Sequence, residues 1–356
     1  MIKEQFDKNT TNIIKGIMLV FMFVLHFFTM PEEYIAGITY PNLIEFSIFW
    51  NKPLNICVPV FAFLTGYFYH YCSTKNYRYS MKKVKQILMP YWMVYIMLLF
   101  IGLITHTYVY KGGGRIILEF FALYRPVMWF CWYVAFYIVS MMLLPLLTKF
   151  SDNFLAAIIS GMILPYGIGV CVNHFFEIPV IISRVIVDVS TFYPVISMGY
   201  ICSKFDVFEM IDRYVLRRKR TIVTCAVSGV VLLILFIGQY YIASDSLNSL
   251  FHGLVSLGLY YVSIPLFVFG LVIFINCWKI KSRFWILREI GKKSMYMWFV
   301  HSIFFNCSKE IFQPILYWPK NPVLVVLWGL IICWYVAWGL DALYRKLLFR
   351  FYKIRR

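Results

Sequence analysis

Lys15 and His26 lie eleven positions apart in the first long apolar run of the chain, Ile13–Met30. At 3.6 residues per turn that spacing is about three full helical turns, so both side chains share one face, about 16 Å apart along the axis. Hydrocarbon penalises ionisable groups, which makes such a pair a candidate site by its position alone. A lysine at a membrane surface can hold an anion, and a neutral imidazole deeper in a low-dielectric site can accept a proton. The pair suits acyl or phosphoryl chemistry, and it suits a proton path equally well.

Other segments carry groups that could take part. His301 closes the run Ser294-Met295-Tyr296-Met297-Trp298-Phe299-Val300-His301, with Ser294 two turns away near the same face. In Phe61-Ala62-Phe63-Leu64-Thr65-Gly66-Tyr67, Thr65 can hydrogen-bond across helices and Gly66 permits close backbone approach. Taken alone, that run is ordinary helix packing. His70, His106, His174 and His252 fall near expected helix ends and receive no role.

The elements that must position these residues are membrane helices. Hydrophobic residues make up 62% of the 356 and charged residues 14%, a balance foreign to soluble globular domains. Apolar stretches of about 20 residues predict spans over Ile13–Met30, Leu54–Tyr71, Ile87–Thr105, Trp129–Thr148, Phe154–Val172, Ser183–Cys202, Thr221–Ile242, Gly253–Cys277, Ser294–Phe312 and Pro322–Tyr344. The expected fold is an all-α polytopic membrane protein of about ten helices, forming one integral domain over 1–356. Ser183–Cys202 is the weakest span, because Arg184, Asp188 and Pro194 interrupt it. The first run reads as a retained helix rather than a signal peptide, since no small-residue cleavage site follows it.

With the amino terminus placed inside, most of the 34 Lys and Arg fall in segments on that side, as the positive-inside rule requires. Both termini are therefore expected in the cytoplasm. Topology and anionic lipid headgroups account for the net charge of +18, and no nucleic acid is needed as a partner. The three inside clusters are Lys75-Arg78-Lys82-Lys83-Lys85, Arg213-Arg217-Arg218-Lys219-Arg220 and Lys279-Lys281-Arg283-Arg288-Lys292-Lys293. Each reads first as a topological signal, and second as a basic vestibule for a phosphorylated substrate such as a coenzyme A thioester. The first cluster leads this second reading, because Lys83 and Lys85 run into Met89-Pro90-Tyr91-Trp92. Outside, Gly112-Gly113-Gly114 precede an amphipathic piece, Arg115–Arg125, expected along the interface, and Trp129, Trp132 and Tyr133 mark the next helix start. The nine cysteines show neither a CxxC pair nor a Cys/His cluster, so no disulfide framework, metal or bound cofactor is expected.

The ordered set of motifs resembles membrane-bound acyltransferase family 3. Asn12-Ile13-Ile14-Lys15-Gly16-Ile17, with ten residues between Lys15 and His26, is similar to the family's opening of a basic residue, ten intervening residues and a histidine. Phe63-Leu64-Thr65-Gly66-Tyr67 resembles its Phe-Leu-Ser-Gly-Tyr/Phe segment. Lys82-Lys83 and Pro90-Tyr91-Trp92 resemble its basic turn and Pro-Tyr-Trp, Trp129-Phe130 its Trp-Phe start, and Ser294 to His301 its Ser-x-x-x-Trp-x-x-His segment. Lys15 stands where arginine is usual in that family; lysine keeps the charge and loses the bidentate fork.

The resemblance implies transfer of an acetyl or other short acyl group from acyl-CoA to a hydroxyl of a cell-surface or lipid-linked polysaccharide. It implies a place in a bacterial cytoplasmic (plasma) membrane, in the compact branch of the family. Lys15, Lys82, Lys83 and Lys85 would hold coenzyme A phosphates, and His26 would act as base or carry the acyl group. Thr65, Gly66, Trp129 and His301 would contact substrate. The competing classes are a glycan or glycolipid exporter, a proton-coupled carrier using His26 and His301, and a structural partner in an envelope assembly. Scarcity of acidic residues inside the helices speaks against a proton carrier, with Asp188 and Asp341 the only candidates.

Overall fold

The computed structural model describes residues 6–28, 53–108, 112–124, 128, 131–215, 229–237, 250–277, 284–305 and 309–354. Within them the chain is helical, with no strand. In chain order the helices are α1 (Lys8–Phe28), α2 (Cys57–His70), α3 (Tyr77–Ile104), α4 (Gly113–Phe120), α5 (Trp132–Lys149) and α6 (Phe154–Phe175). Then follow α7 (Val180–Lys204), α8 (Val207–Val215), α9 (Leu250–Cys277), α10 (Trp285–Val300) with a 3₁₀ turn over His301–Phe304, α11 (Lys309–Tyr317) and α12 (Pro322–Ile354).

Six of the described helices are long and apolar enough to cross a membrane: α1, α3, α5, α6, α7 and the Pro322–Lys346 part of α12. Tyr261–Asn276 within α9 is a shorter apolar stretch. This is an all-α, integral membrane architecture. Of the expected span Thr221–Ile242 only 229–237 is described, as helix, and Trp129, Arg125, Arg217–Arg220, Lys279, Lys281 and Arg283 lie outside the described residues.

Several boundaries differ from expectation for local reasons. α3 begins at Tyr77 rather than at Ile87, because the Asn76 side chain accepts from the Tyr79 N–H at 3.0 Å and caps the first turn. α7 runs unbroken through Pro194, which membrane helices tolerate when neighbours satisfy the freed backbone groups. The expected span Ser294–Phe312 is not one straight helix: α10 starts at Trp285, and its α geometry stops at Val300, where the 3₁₀ turn begins. α6 carries one π-helical stretch, Ile159–Ile163, where Gly161 presses on Ser197 and Leu147.

The most extensive helix contacts are α1 with α10 and α2 with α7. Both are closed by glycine against bare backbone. A Cβ on Gly16 would overlap the Leu287 carbonyl, and one on Gly291 would overlap the Asn12 carbonyl, so α1 and α10 touch along their main chains. In the same way Gly66 meets the Ile196 carbonyl and Gly199 the Phe63 carbonyl, which joins α2 to α7. Small residues at such crossings let dispersion contacts replace the hydrophobic drive that lipid does not supply. Gly66, expected as a substrate contact, stands at this helix crossing.

The amphipathic piece expected along the interface is docked rather than loose. Glu119 of α4 is 2% exposed, and its carboxylate accepts from Tyr95 at 2.8 Å and from Tyr108 at 3.3 Å. Tyr91 donates to the Glu119 carbonyl at 2.5 Å and Trp92 Nε1 to the Phe120 carbonyl at 2.8 Å, while Trp92 stacks on Phe120 at 4.5 Å. Four side chains of one connected segment thus clamp α4 to α3.

Two outcomes follow from this packing. Gly291→Val or Gly16→Val should cost more than the ~1–3 kcal/mol typical of overpacking, because backbone cannot yield as a side chain can. Gly167→Ala, where nothing lies within 4 Å of the added Cβ, should be neutral or slightly stabilising; thermal unfolding in detergent, with folded yield, separates the two cases. Burial pushes the Glu119 carboxyl above its ordinary range, against the opposing hydrogen bonds from Tyr95 and Tyr108. The docked state thus binds the proton more tightly than the undocked one. Docking should be strongest below the ordinary carboxylate pKa, weaken as pH rises from there to the raised value, and level off above it. Amide exchange over 113–120, corrected for its intrinsic pH dependence, measures this, and Glu119→Gln should remove the pH dependence.

Candidate functional site

A cavity of about 600 Å³ opens between α1, α2, α3, α5 and α10. Lys15 and His26 both line it, as their shared helix face requires. Lys8, Thr11 and Asn12 continue the same wall toward the start of α1, where the Asp7 carboxylate caps the helix by accepting from the Thr10 N–H at 2.7 Å. Lys83 and Gln86 of α3 face Lys15 across the opening, and Lys83 sits over the Tyr79 ring at 5.5 Å. No aspartate or glutamate is among the lining residues.

Lys8, Lys15 and Lys83 thus share one cavity with no acid among its described lining residues. In the third basic cluster the cations are matched: Lys292 and Arg288 pair with Glu289 at 2.6 and 3.3 Å, and Asp341 holds both Lys293 and, at 3.0 Å, Arg345. The described part of the third cluster is thus bound up in structural ion pairs. Of the expected phosphate-binding lysines, Lys15 and Lys83 reach the cavity; Lys82 and Lys85 are exposed on other faces of α3. Sequence neighbours 82, 83 and 85 point in different directions because successive helical positions turn by about 100°.

Much of the cavity is aromatic. Trp132, Tyr133 and Tyr137 of α5, Phe61 and Phe68 of α2, Tyr69, Tyr79 and Trp298 form its walls, and the Trp298 and Tyr133 rings meet edge to face at 5.5 Å. Thr65 lines the cavity, its hydroxyl also donating to the Phe61 carbonyl at 3.0 Å. Trp129 lies outside the described residues. Its neighbours Trp132 and Tyr133, expected to mark the helix start at the interface, line the cavity, where Tyr133 meets Trp298 of α10.

His301 is not among the lining residues. It is fully buried behind His26, and its Nε2 is 2.7 Å from His26 Nδ1. The ring planes are 10° apart with centroids 5.0 Å apart, close to two ring radii plus that contact, so the imidazoles lie edge to edge in one plane. The other nitrogen of His301, Nδ1, contacts the Trp298 carbonyl in the last turn of α10. Phe23 covers one face of His301 at 5.3 Å, and the Phe305 ring stands edge-on at 6.1 Å.

Sequence reasoning missed Lys8, Gln86, Tyr69 and Tyr137 in the wall. Lys8 had a usable signal, since it precedes Lys15 by two helical turns on the same face. The other three become neighbours only through packing of α2, α3 and α5.

Chemically, the arrangement is a cationic mouth leading through an apolar, aromatic channel to an imidazole backed by a second imidazole. It is shaped for a ligand with an anionic head and a long neutral arm. No curated protein and no solved structure matches the chain. The family described as an acyltransferase domain matches residues 10–342, which include nearly every residue that walls the cavity. On that match the chain belongs to acyltransferase family 3, and it is a membrane acyltransferase.

Proposed function

We propose that the protein transfers a short acyl group, acetyl in the simplest case, from acyl-CoA to a hydroxyl of a surface or lipid-linked polysaccharide. The observation that carries this reading is the single cavity face shared by Lys15 and His26, with Lys83 opposite and no carboxylate in the lining. Lys8, Lys15 and Lys83 hold the phosphates of coenzyme A at the cytoplasmic mouth, where charged heads stay hydrated. The pantetheine arm is neutral and enters the aromatic channel at far lower desolvation cost than a phosphate would. Its length matches the need to reach from Lys15 to His26, about 16 Å of helix.

His26 Nε2 removes the proton from the acceptor hydroxyl as its oxygen attacks the thioester carbonyl. The C–O bond forms, the C–S bond breaks, and the departing sulfur takes the proton back from His26, giving ester and free coenzyme A. Trp132, Tyr133 and Trp298 offer flat apolar faces to the sugar ring or the acyl arm. The membrane concerned is the bacterial cytoplasmic membrane, whose inner side supplies acyl-CoA.

Ester content of the cell-surface polysaccharide is the direct test. Cells lacking the protein should lose O-acyl groups, and His26→Ala at equal protein level should lower transfer by roughly 10²–10⁴-fold, the usual contribution of a general base. Unchanged ester content without the protein would sink the acceptor assignment.

The lysines separate by position. Lys15→Ala and Lys83→Ala should each raise the acetyl-CoA KM by about 10- to 100-fold, as loss of a charge-assisted contact of roughly 1.5–3 kcal/mol implies. Lys82→Ala and Lys85→Ala, on exposed faces, should change it far less. Equal effects at all four positions would remove the cavity as the donor site.

A further inference from the structure

We infer that His301 is a positioning residue for His26: it fixes the tautomer that leaves the proton-accepting nitrogen on the far edge of the His26 ring, and it shares the positive charge that develops there. The inference rests on the acyl-transfer reading for its catalytic meaning, and on geometry alone for the tautomer.

The chain of donors runs one way. The Trp298 carbonyl can only accept, so the His301 Nδ1 in contact with it carries a proton. A charged imidazole enclosed by Phe23 and Phe305 is costly, so the resting ring is neutral and its Nε2 is an acceptor. That acceptor is 2.7 Å from His26 Nδ1, which must therefore donate. The proton of neutral His26 is thereby held on Nδ1, and its lone pair sits on Nε2, the edge turned away from His301. The coplanar rings, 10° apart, align this N–H with the accepting lone pair.

The backbone around His301 serves the same end. α10 changes from α to 3₁₀ geometry at His301, so the carbonyl that holds its ring belongs to the last helical turn. Carbonyls there carry the negative end of the helix dipole and favour a nearby cation. When His26 Nε2 takes the hydroxyl proton, the Nδ1 proton can shift toward His301 Nε2, placing positive charge at that helix end. As the proton returns from Nε2 to the leaving sulfur, the Nδ1 proton shifts back and the resting tautomer is restored. No other reactant is required.

The test uses the full chain, ¹⁵N-labelled at histidine, in lipid nanodiscs, with His26 assigned by its loss in His26→Ala. Long-range ¹H–¹⁵N spectra should show Nδ1–H and an unprotonated Nε2 at His26 in the wild type. His301→Phe should shift the proton wholly or partly to Nε2, and His301→Gln, whose carbonyl oxygen can still accept, should retain Nδ1–H. In membranes supplied with acetyl-CoA, His301→Phe should lower kcat by about 10²- to 10³-fold with little change in the acetyl-CoA KM, and His301→Gln should recover most of it. A wild-type His26 protonated at Nε2, or a His301→Phe protein that keeps Nδ1–H, would overturn the inference. Absence of transfer in the wild type would overturn the functional reading instead, while the spectra decide the tautomer by themselves.

Discussion

Main-chain contact between α1 and α10 is the constraint on which the rest of the site depends. Gly16 and Gly291 carry no side chains, so the two helices meet backbone to backbone at the start of their shared path. That closeness sets how far apart their later residues stand, and it brings His26 within hydrogen-bonding distance of His301. Any side chain at the crossing would wedge the helices apart and carry the imidazoles with them. The equivalent crossing of α2 and α7 through Gly66 and Gly199 holds the opposite wall. In a bilayer, where lipid tails compete equally for apolar side chains, such contact is a principal source of helix association.

Charge is the second organising quantity. Some described cations find carboxylates, as Lys293 and Arg345 do at Asp341. The cavity departs from that pattern, gathering Lys8, Lys15 and Lys83 without an acid in its lining. Holding like charges together in a partly dehydrated space costs free energy, and an anionic ligand relieves that cost. Much of the remaining wall is aromatic, so one passage offers a polar mouth and an apolar interior. A ligand with an anionic head and a long neutral arm would meet both environments in that order.

Composition and charge bias were enough to read an all-helical membrane chain, because a bilayer demands long apolar segments whatever their arrangement. The motif order also carried the family, and the spacing of Lys15 and His26 carried their common face, since helical periodicity is a local property. Local capping already shifts what hydropathy sees: Asn76 starts α3 well before the apolar stretch, and α10 starts in the charged segment before Ser294. Gly66 illustrates the limit of a motif. Its presence was legible, and the backbone it meets belongs to α7, a helix over a hundred residues away in sequence.

By itself, then, the sequence determined the class of solvent, the helical periodicity and the candidate pair, all consequences of interactions within one segment. The tertiary structure alone decided that Lys83 and not Lys82 or Lys85 faces Lys15, that Trp132 and Tyr133 line the cavity, and that His301 stands behind His26. Each of these is a relation between helices that no single segment encodes. Rotation of a helix about its axis and the closeness of a crossing are settled by which faces pack together, and there the glycines, not the ionisable groups, set the distances.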